Sequence, residues 1–293
     1  MNSPKKSVVI TGASSGIGRA SALRMFNAGW RVFATVRKPD DGNRLQSEIS
    51  QEITPLVMDV QDRNSISAAA EKLSSQLGGQ GLEGLVNVAG IGMVRPVEYA
   101  TPEDLQTIFE VNVFGQIAVT QAFLPLIRQA RGRIVNISSV GAHIAIPFGG
   151  LLNASKSAFG LLSDTLRLEL RPFGIHVCTI EPGAINTPAV DKTLGNVDAV
   201  IANLPAKGAA QYGAMLKSFA ARAFAREAHG SAPDVVAQAV QHALTSRHPR
   251  PRYQAGKDAK FLVTLPRFLP DSLLDVLRLR ALHLPSKFGE AVR

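Results

Sequence analysis

The chain has 293 residues, 45% of them hydrophobic and 19% charged, which supports one large folded core and argues against a disordered protein. Its single cysteine, Cys178, excludes an internal disulfide framework, and the lack of an apolar signal core near the start predicts a cytoplasmic protein. Much of the formal charge of +9 lies in residues 247–293, which carry ten Lys and Arg against four Asp and Glu, so we expect a solvated basic surface and no nucleic-acid partner.

Six short apolar runs alternate with longer stretches of helical pattern. The runs are residues 8–10, 32–34, 56–58, 85–87, 134–137 and 177–180. Runs that are apolar at successive positions are typical of strands covered on both faces, and the intervening helices supply the crossovers between parallel strands. The alternation predicts an α/β fold, a doubly wound parallel sheet with helices on both faces, in a single domain over residues 1–293.

The glycine-rich stretch 11–18, TGASSGIG, joins the first predicted strand to a helix that runs to about residue 28. Glycines there allow a tight turn and close backbone approach, and free amides at the helix N-terminus attract a pyrophosphate. Because a strand and a helix flank the loop, it predicts a dinucleotide site. The residues expected to contact the dinucleotide are Gly12, Ser14, Ser15, Gly16, Ile17 and Gly18.

The end of the second predicted strand indicates which dinucleotide is bound. NAD-binding folds of this type place an acid there for the adenosine ribose. Here the segment 35–38 reads TVRK, without an acid, and Arg37 and Lys38 offer positive charge to a 2′-phosphate. The sequence therefore predicts NADP(H), against the alternative that both cations are ordinary surface charges.

Later segments carry helix signals. Residues 101–104, TPED, offer a capping hydroxyl, a proline at the first helical position and acids in the first turn, and predict a helix to about residue 129. From about 184 to 230 the chain is rich in alanine and shows no strand signal, so we expect a mobile helical flap over the substrate. A basic C-terminal extension follows over about 247–293.

Taken together, the motifs between residues 7 and 190 resemble those of the short-chain dehydrogenases/reductases. The spacing of 11–18 is the TGxxxGIG of that family, and segment 34–37 with the long C-terminal extension resembles the branch of 17β-hydroxysteroid and retinol dehydrogenases. The resemblance implies a Rossmann fold and hydride transfer between a nicotinamide cofactor and a carbonyl or alcohol carbon. It adds as cofactor contacts Asp59 and Val60 (adenine), Asn87, Ala89 and Gly90 (the NNAG element), and Pro182, Gly183 and Thr187 (the nicotinamide-side loop).

The same resemblance assigns the catalytic residues and exposes a gap. Ser139 would orient the carbonyl oxygen, Asn112 would hold a water relay, and Lys156 would hold the nicotinamide ribose and activate a tyrosine four residues before it. That position is Leu152, which cannot exchange a proton. Since general acid catalysis is worth roughly 10²- to 10⁴-fold, ketone reduction should be strongly depressed.

Three hypotheses remain open. In the first, the chain is a Tyr-to-Leu variant of an ordinary NADP(H)-dependent ketone or alcohol enzyme, and Leu152 impairs proton transfer; the other intact motif residues favour it. In the second, it is an imine reductase, because a protonated imine already carries its proton. In the third, it is a catalytically inactive NADP(H)-binding module.

The substrate side offers mostly apolar residues, so we expect an apolar, cyclic ketone, alcohol or imine and no metal site. The candidate pocket residues are His143, Phe148, Leu152, Ala184 and Val190. His143 is also an alternative proton donor, since imidazole titrates near neutrality, although a surface or packing role is the simpler interpretation. Tyr212 would reach the substrate only if the flap closed over it.

Self-association is implied by the resemblance alone. The long helices that start near Pro102 and Gly150 resemble those that pair subunits in the family, which predicts a homodimer or homotetramer. The tail mixes apolar and basic residues, so it could cap the substrate site, pack on a neighbouring subunit or touch a membrane surface. Packing is favoured over membrane contact.

Overall fold

A seven-stranded parallel sheet forms the centre of the computed structural model, which describes residues 5–287. The strands are β1 (Ser7–Ile10), β2 (Arg31–Val36), β3 (Thr54–Val57), β4 (Gly84–Asn87), β5 (Arg133–Ile137), β6 (His176–Pro182) and β7 (Arg252–Ala255), in the spatial order β3-β2-β1-β4-β5-β6-β7. The order reverses direction between β1 and β4, and ligands bind beyond the carboxyl ends of strands at such a switch point. The predicted doubly wound α/β fold is confirmed.

Helices cover both faces of the sheet. They are α1 (Gly16–Asn27), α2 (Pro39–Glu48), α3 (Arg63–Leu77), α4 (Pro102–Phe109), α5 (Gly115–Ala130), α6 (Gly150–Leu170), α7 (Pro188–Leu194), α8 (Val197–Ala202), α9 (Ala206–Ala228), α10 (Pro233–Thr245), α11 (Ala259–Thr264) and α12 (Asp271–Ala281). Helices α1, α2 and α10 enclose one apolar core, and α3, α5 and α6 enclose the other. Successive side chains of β1 point to opposite faces of the sheet, so Val8 and Ile10 pack in the first core and Val9 packs in the second.

The seventh strand was not predicted from the sequence. In β7, buried Tyr253 and Ala255 alternate with the more exposed Arg252 and Gln254, because β7 is an edge strand with a neighbour on one side only. A search for runs of consecutive apolar residues detects strands buried on both faces and misses this pattern.

The helix predicted from residue 101 onward is confirmed, with one interruption. The Thr101 hydroxyl accepts from Asp104 N at 3.2 Å, and the Asp104 carboxylate accepts from Thr101 N at 3.0 Å, a reciprocal cap. A π-helical turn, Glu110–Phe114, joins α4 to α5. By length and composition Pro102–Ala130 could cross a membrane, but 56% of its most apolar window is buried, as in the core helix of a globular protein.

The predicted flap is helical, and the tail packs on it. Helices α7, α8 and α9 cover the loops that follow β4 and β5. They enclose a third apolar cluster, here called the flap cluster, whose buried members are Val94, Phe148, Leu204, Leu216, Phe219 and Leu284. Leu279 and Leu282, around the end of α12, pack against the flap cluster. The C-terminal segment therefore packs on the flap of the same chain.

Candidate active site

The glycine loop between β1 and α1 lies at the carboxyl edge of the sheet, where the cofactor cleft is expected. Gly12 and Gly16 have positive φ angles of +61° and +53°. A Cβ on Gly18 would lie 2.2 Å from the carbonyl oxygen of Gly12, so no larger residue fits there. Ser15 precedes α1 without making a side-chain cap, which leaves the amides of the first helical turn to an outside acceptor. This backbone cradle fits the diphosphate of a dinucleotide.

Thr11 joins this loop to the segment after β4. Its hydroxyl accepts from Val88 N at 2.8 Å and from Ala89 N at 3.0 Å. A Cβ on Gly12 would lie 3.0 Å from the Cα of Ala89, so the two segments touch. Sequence reasoning treated Thr11 only as the first letter of the motif, whereas the structure gives it a bridging role.

The adenosine end of the cleft is basic. Arg37 and Lys38 follow β2, are exposed, and make no ion pair within residues 5–287. Arg44, on α2, pairs with Asp41 at 2.7 Å and places its guanidinium 3.4 Å from Ser14 O in the glycine loop. No sequence motif marks Arg44, since only the packing of α2 brings it to the loop.

The predicted adenine pair lies at the same edge. Asp59 follows β3, and its carboxylate accepts from Gln61 N at 3.0 Å while its own N–H donates to Ser65 Oγ. Val60 is buried. Both residues lie in a fixed loop beside the cleft.

Asn87 requires a correction as regards its side chain. It is 1% exposed, and its amide nitrogen donates to Thr120 Oγ1 and to Asn136 Oδ1 within the sheet. The side chain thus ties β4 to β5 and α5 and does not reach into the cleft. Contact of this residue with the cofactor stays a prediction for its backbone alone.

Asn112 and Lys156 converge at Gly90. A Cβ on Gly90 would lie 3.2 Å from Asn112 Oδ1 and 3.4 Å from Lys156 Nζ. Asn112 lies in the π-helical turn, and its amide nitrogen donates to Ile91 O and to Ser155 Oγ, both at 3.0 Å. π-Helical turns inside α-helices occur frequently at functional sites. The turn therefore holds this buried amide between Ile91 and Ser155, close to Gly90.

Lys156 is buried, and no carboxylate within residues 5–287 pairs with it. Its Nζ donates to Ile137 O at 3.1 Å, and burial lowers its pKa from the ordinary 10.5 to about 8. A lysine that loses its proton this close to neutrality in a cleft is a functional candidate on physical grounds.

Ser139 and Leu152 are the two remaining residues of the predicted catalytic set. Ser139 follows β5, and its hydroxyl accepts from Gly141 N at 3.0 Å. Leu152 lies one helical turn before Lys156 on the same side of α6. Its side chain is partly exposed and belongs to none of the apolar clusters formed by residues 5–287, whereas Leu151 is buried. The position of the expected phenol thus holds an apolar side chain that is not needed for packing.

His143 is hydrogen-bonded to a buried carboxylate of β6. Its Nε2 lies 2.7 Å from Oε1 of Glu181, a fully buried carboxylate that also contacts Arg252 and Gln254. Burial opposes ionisation of Glu181, but hydrogen bonds from His143 and Gln254 and the charges of His143 and Arg252 outweigh it and lower its pKa. The contact holds the loop after Ser139 against β6, so packing accounts for this residue, and its place in the substrate pocket stays a prediction.

Of the other predicted pocket residues, Phe148 is buried. It belongs to the flap cluster, with its ring centroid 5.5 Å from that of Phe219. Ala184 is also buried, and Val190 is partly exposed on α7. The hydroxyl of Tyr212 donates to Glu98 at 2.7 Å, so it fastens the flap to the loop before α4.

The predicted nicotinamide-side loop follows β6. Pro182 ends that strand, and a Cβ on Gly16 would lie 3.2 Å from the Cβ of Thr187, which puts the end of the loop against the glycine loop. Gly183 lies between them, beside Asp258. The structure thus brings this loop, the glycine loop and the Asn112–Lys156 pair to one edge of the sheet.

Comparison with known proteins identifies the family. Residues 6–198 match the family described as short chain dehydrogenase. Retinol dehydrogenase 5 of Homo sapiens is 38% identical over 289 residues, covering 96% of this chain and 90% of that protein. 17-beta-hydroxysteroid dehydrogenase type 6 of Rattus norvegicus is 37% identical over 281 residues, covering 93% and 87%. A solved short-chain dehydrogenase from Streptomyces avermitilis is similar with a TM-score of 0.73 and 28% identity, covering 96% of this chain and 98% of that one. The chain therefore belongs to the short-chain dehydrogenases, in the branch that contains the retinol and 17β-hydroxysteroid dehydrogenases.

Proposed function

We propose that this oxidoreductase uses NADP(H) and acts on the carbonyl or alcohol carbon of an apolar, cyclic substrate, with its proton-transfer step impaired by Leu152. The observation that carries the proposal is the convergence of Asn112 and Lys156 at Gly90, beside the glycine loop, with Leu152 one turn before the lysine. NADPH, when bound, supplies the hydride. The chain's own residues then have to bind, orient and handle the proton.

The basic adenosine end favours NADP(H) over NAD(H). Arg37 and Lys38 present charge that is free of ion pairs within residues 5–287, and Arg44 adds a third cation beside Ser14. A guanidinium matches the geometry of a phosphate and cannot lose its charge near neutrality. A dissociation constant for NADH at or below that for NADPH would contradict this part of the proposal.

At the reacting end, Ser139 orients the carbonyl oxygen with its hydroxyl, and Lys156 holds the ribose hydroxyls. Asn112 fixes Ile91 and Ser155 around the lysine. The Leu152 side chain has no proton to donate to the developing alkoxide. The proton therefore has to come from water, at a cost of roughly 10²- to 10⁴-fold in rate.

The flap supports an apolar substrate. Its inner surface is the flap cluster, built from aliphatic and aromatic side chains. The two relatives compared above are named for retinol and for hydroxysteroids, both of which are apolar molecules with rings. Ring size is left to experiment.

Imine reduction is the second candidate, and it has an observation of its own. With Leu152 the site has no phenol, and burial lowers the pKa of Lys156 to about 8, so a growing share of this lysine is neutral at mildly alkaline pH. A neutral lysine repels an iminium ion less than a charged one does. Such a substrate brings its own proton and needs no acid at position 152.

We also propose that the chain forms a homodimer or homotetramer through the outer faces of α4, α5 and α6. Large apolar side chains are exposed there, namely Leu105, Phe114, Leu161, Leu162 and Leu168. Exposed apolar surface of this kind marks association sites in soluble proteins. Sedimentation of the purified chain tests the proposal, and a monomer at micromolar concentration contradicts it.

The deciding experiment follows NADPH consumption by the unaltered chain and by Leu152→Tyr, with apolar cyclic ketones and the corresponding imines. A gain of about 10²- to 10⁴-fold in ketone turnover on restoring the phenol supports the carbonyl reductase. Imine turnover by the unaltered chain, with no gain from tyrosine, favours the second candidate. If neither protein consumes NADPH while both bind it, the chain is a binding module.

A further inference from the structure

Two carboxylates hold the loop that follows β6. Asp258, just before α11, accepts from Ala184 N at 3.1 Å through Oδ1, and Glu227, near the end of α9, accepts from Ile185 N at 3.1 Å through Oε2. The neighbouring amides are bonded to backbone oxygens instead, Gly183 N to Ala255 O and Asn186 N to Ser231 O. The middle of the loop is therefore fixed by side chains from two distant segments.

Arg226 joins the two carboxylates into one unit, here called the loop clamp (Arg226, Glu227 and Asp258). Its guanidinium pairs with Asp258 Oδ2 and lies 3.8 Å from Glu227 Oε1. Gly183, which precedes Ala184 in the loop, has to be a glycine, because a Cβ there would lie 1.9 Å from Asp258 Oδ1. The clamp thus needs a glycine at this point of the loop.

The clamped loop forms one wall of the cofactor cleft. Register pairs Ile137 of β5 with Ile180 of β6, so Ser139 and the loop after β6 emerge side by side at the carboxyl edge of the sheet. Further along, the loop touches the glycine loop through Thr187 and Gly16. A dinucleotide whose diphosphate lies on the glycine loop and whose reacting end lies near Ser139 has to pass this wall.

Stability accounts for only one half of the clamp: burial opposes ionisation of Asp258, but the hydrogen bond and charge of Arg226 outweigh it and lower the pKa of that carboxyl. Burial raises the pKa of Glu227, which means that keeping this carboxylate ionised beside the loop carries a cost. Partly buried ion pairs return little net stability once desolvation is counted. We therefore interpret the loop clamp as a device that fixes the position of the loop after β6, and not only as a contribution to the stability of the fold.

We propose that Glu227 and Asp258, joined by Arg226, are positioning residues for the nicotinamide half of the bound cofactor. They hold Ala184 and Ile185, and through them the wall of the cleft, and they connect this wall to the end of flap helix α9. The inference rests on the proposed function, since it assumes that a nicotinamide dinucleotide occupies the cleft.

Two ligands separate this role from a general effect on the fold. NADPH contains both halves of the cofactor, whereas adenosine 2′,5′-bisphosphate carries the adenosine end and no nicotinamide. We expect Asp258→Asn to raise the Kd for NADPH about tenfold, because a charged acceptor becomes neutral, and to leave the Kd for the bisphosphate within about twofold. Asp198→Asn is the matched control, since it removes an exposed flap ion pair with Lys217 and should change neither Kd.

Calorimetric titration gives both constants without any turnover. Should Asp258→Asn fail to fold, Glu227→Gln makes the same test through the bond to Ile185 and the ion pair with Arg226. An equal loss for both ligands, or no loss for NADPH, overturns the clamp. So does an unaltered chain that binds NADPH no more tightly than the bisphosphate, although NADP(H) binding then still stands. An unaltered chain that binds neither ligand overturns the proposed function together with the clamp.

Discussion

Backbone turns determine the shape of the glycine loop, whereas packed side chains determine the shape of the flap. Around the glycine loop the shape depends on turns that only glycine allows, such as Gly18 packed against the carbonyl of Gly12. Around the flap it depends on rings, such as Phe148 against Phe219. A site made of backbone tolerates almost no added atoms, and a site made of apolar side chains tolerates many substitutions of similar volume. Substitutions should therefore act sharply on one side and gradually on the other.

The largest expected effect is on the cofactor side. In Gly18→Ala the new Cβ meets the Gly12 carbonyl at 2.2 Å, so the glycine loop has to move. Overpacking of this kind costs about 1–3 kcal/mol, which corresponds to a loss of NADPH affinity of roughly 5- to 150-fold, measured by titration. Gly78→Ala is the control: unlike Gly18, Gly78 has a positive φ, and a Cβ added to it would meet no atom within 4 Å, so this variant adds backbone strain without a clash. Equal NADPH affinities in the two variants would contradict the backbone cradle.

The same difference explains which features of the fold and the site could be predicted from the sequence. Glycines, the Thr101 cap and fully buried strands leave local signals, so six strands and the dinucleotide loop could be predicted. The side chain of Asn87 could not be placed, because which face of the strand meets the core depends on neighbours that the motif does not contain. His143 shows the same limit, since its partner Glu181 lies 38 residues away.

Contacts between distant segments left no local signal at all. Arg44 reaches Ser14 across 30 residues, and Asp258 reaches Ala184 across 74. Neither pair has a fixed spacing that a sequence pattern could reveal. These contacts adjust the site rather than create it, and the fold has to be known before they can be found.

On the substrate side, Phe219→Ala should loosen the flap and spare the cofactor. Phe219 is 5% exposed and packs on Phe148, so its truncation costs the flap about 3–5 kcal/mol. We expect faster proteolysis within residues 188–228 and a higher KM for apolar substrates. Phe224→Ala is the matched control, because Phe224 lies on the same helix but is 40% exposed. A change in the Kd for NADPH equal to that in Gly18→Ala would mean that the two sides are one unit.

A smaller effect concerns the buried charge of Lys156. Its pKa is about 8 in the folded chain against the ordinary 10.5, so the unfolded chain binds the extra proton between these values and stability rises with pH across that window. In Lys156→Met this dependence disappears. Denaturant unfolding at several pH values should show that, between pH 8 and 10.5, the free energy of unfolding of the unaltered chain rises by about 3 kcal/mol relative to that of the variant. A difference that does not change with pH would show that the lysine is not desolvated.

The smallest effect should come from Tyr212→Phe, which removes the hydroxyl bonded to Glu98 at 2.7 Å. The bond is partly exposed, so its loss costs the flap about 0.5–1.5 kcal/mol at most. Turnover of any accepted substrate should stay within about threefold, because the hydroxyl holds the flap and does not serve as the acid that Leu152 lacks. Tyr99→Phe, which removes a comparable bond to Gln211 at 3.0 Å, should behave alike. A fall of 10²- to 10⁴-fold in Tyr212→Phe alone would instead make Tyr212 the proton donor and would join the substrate side to the chemistry.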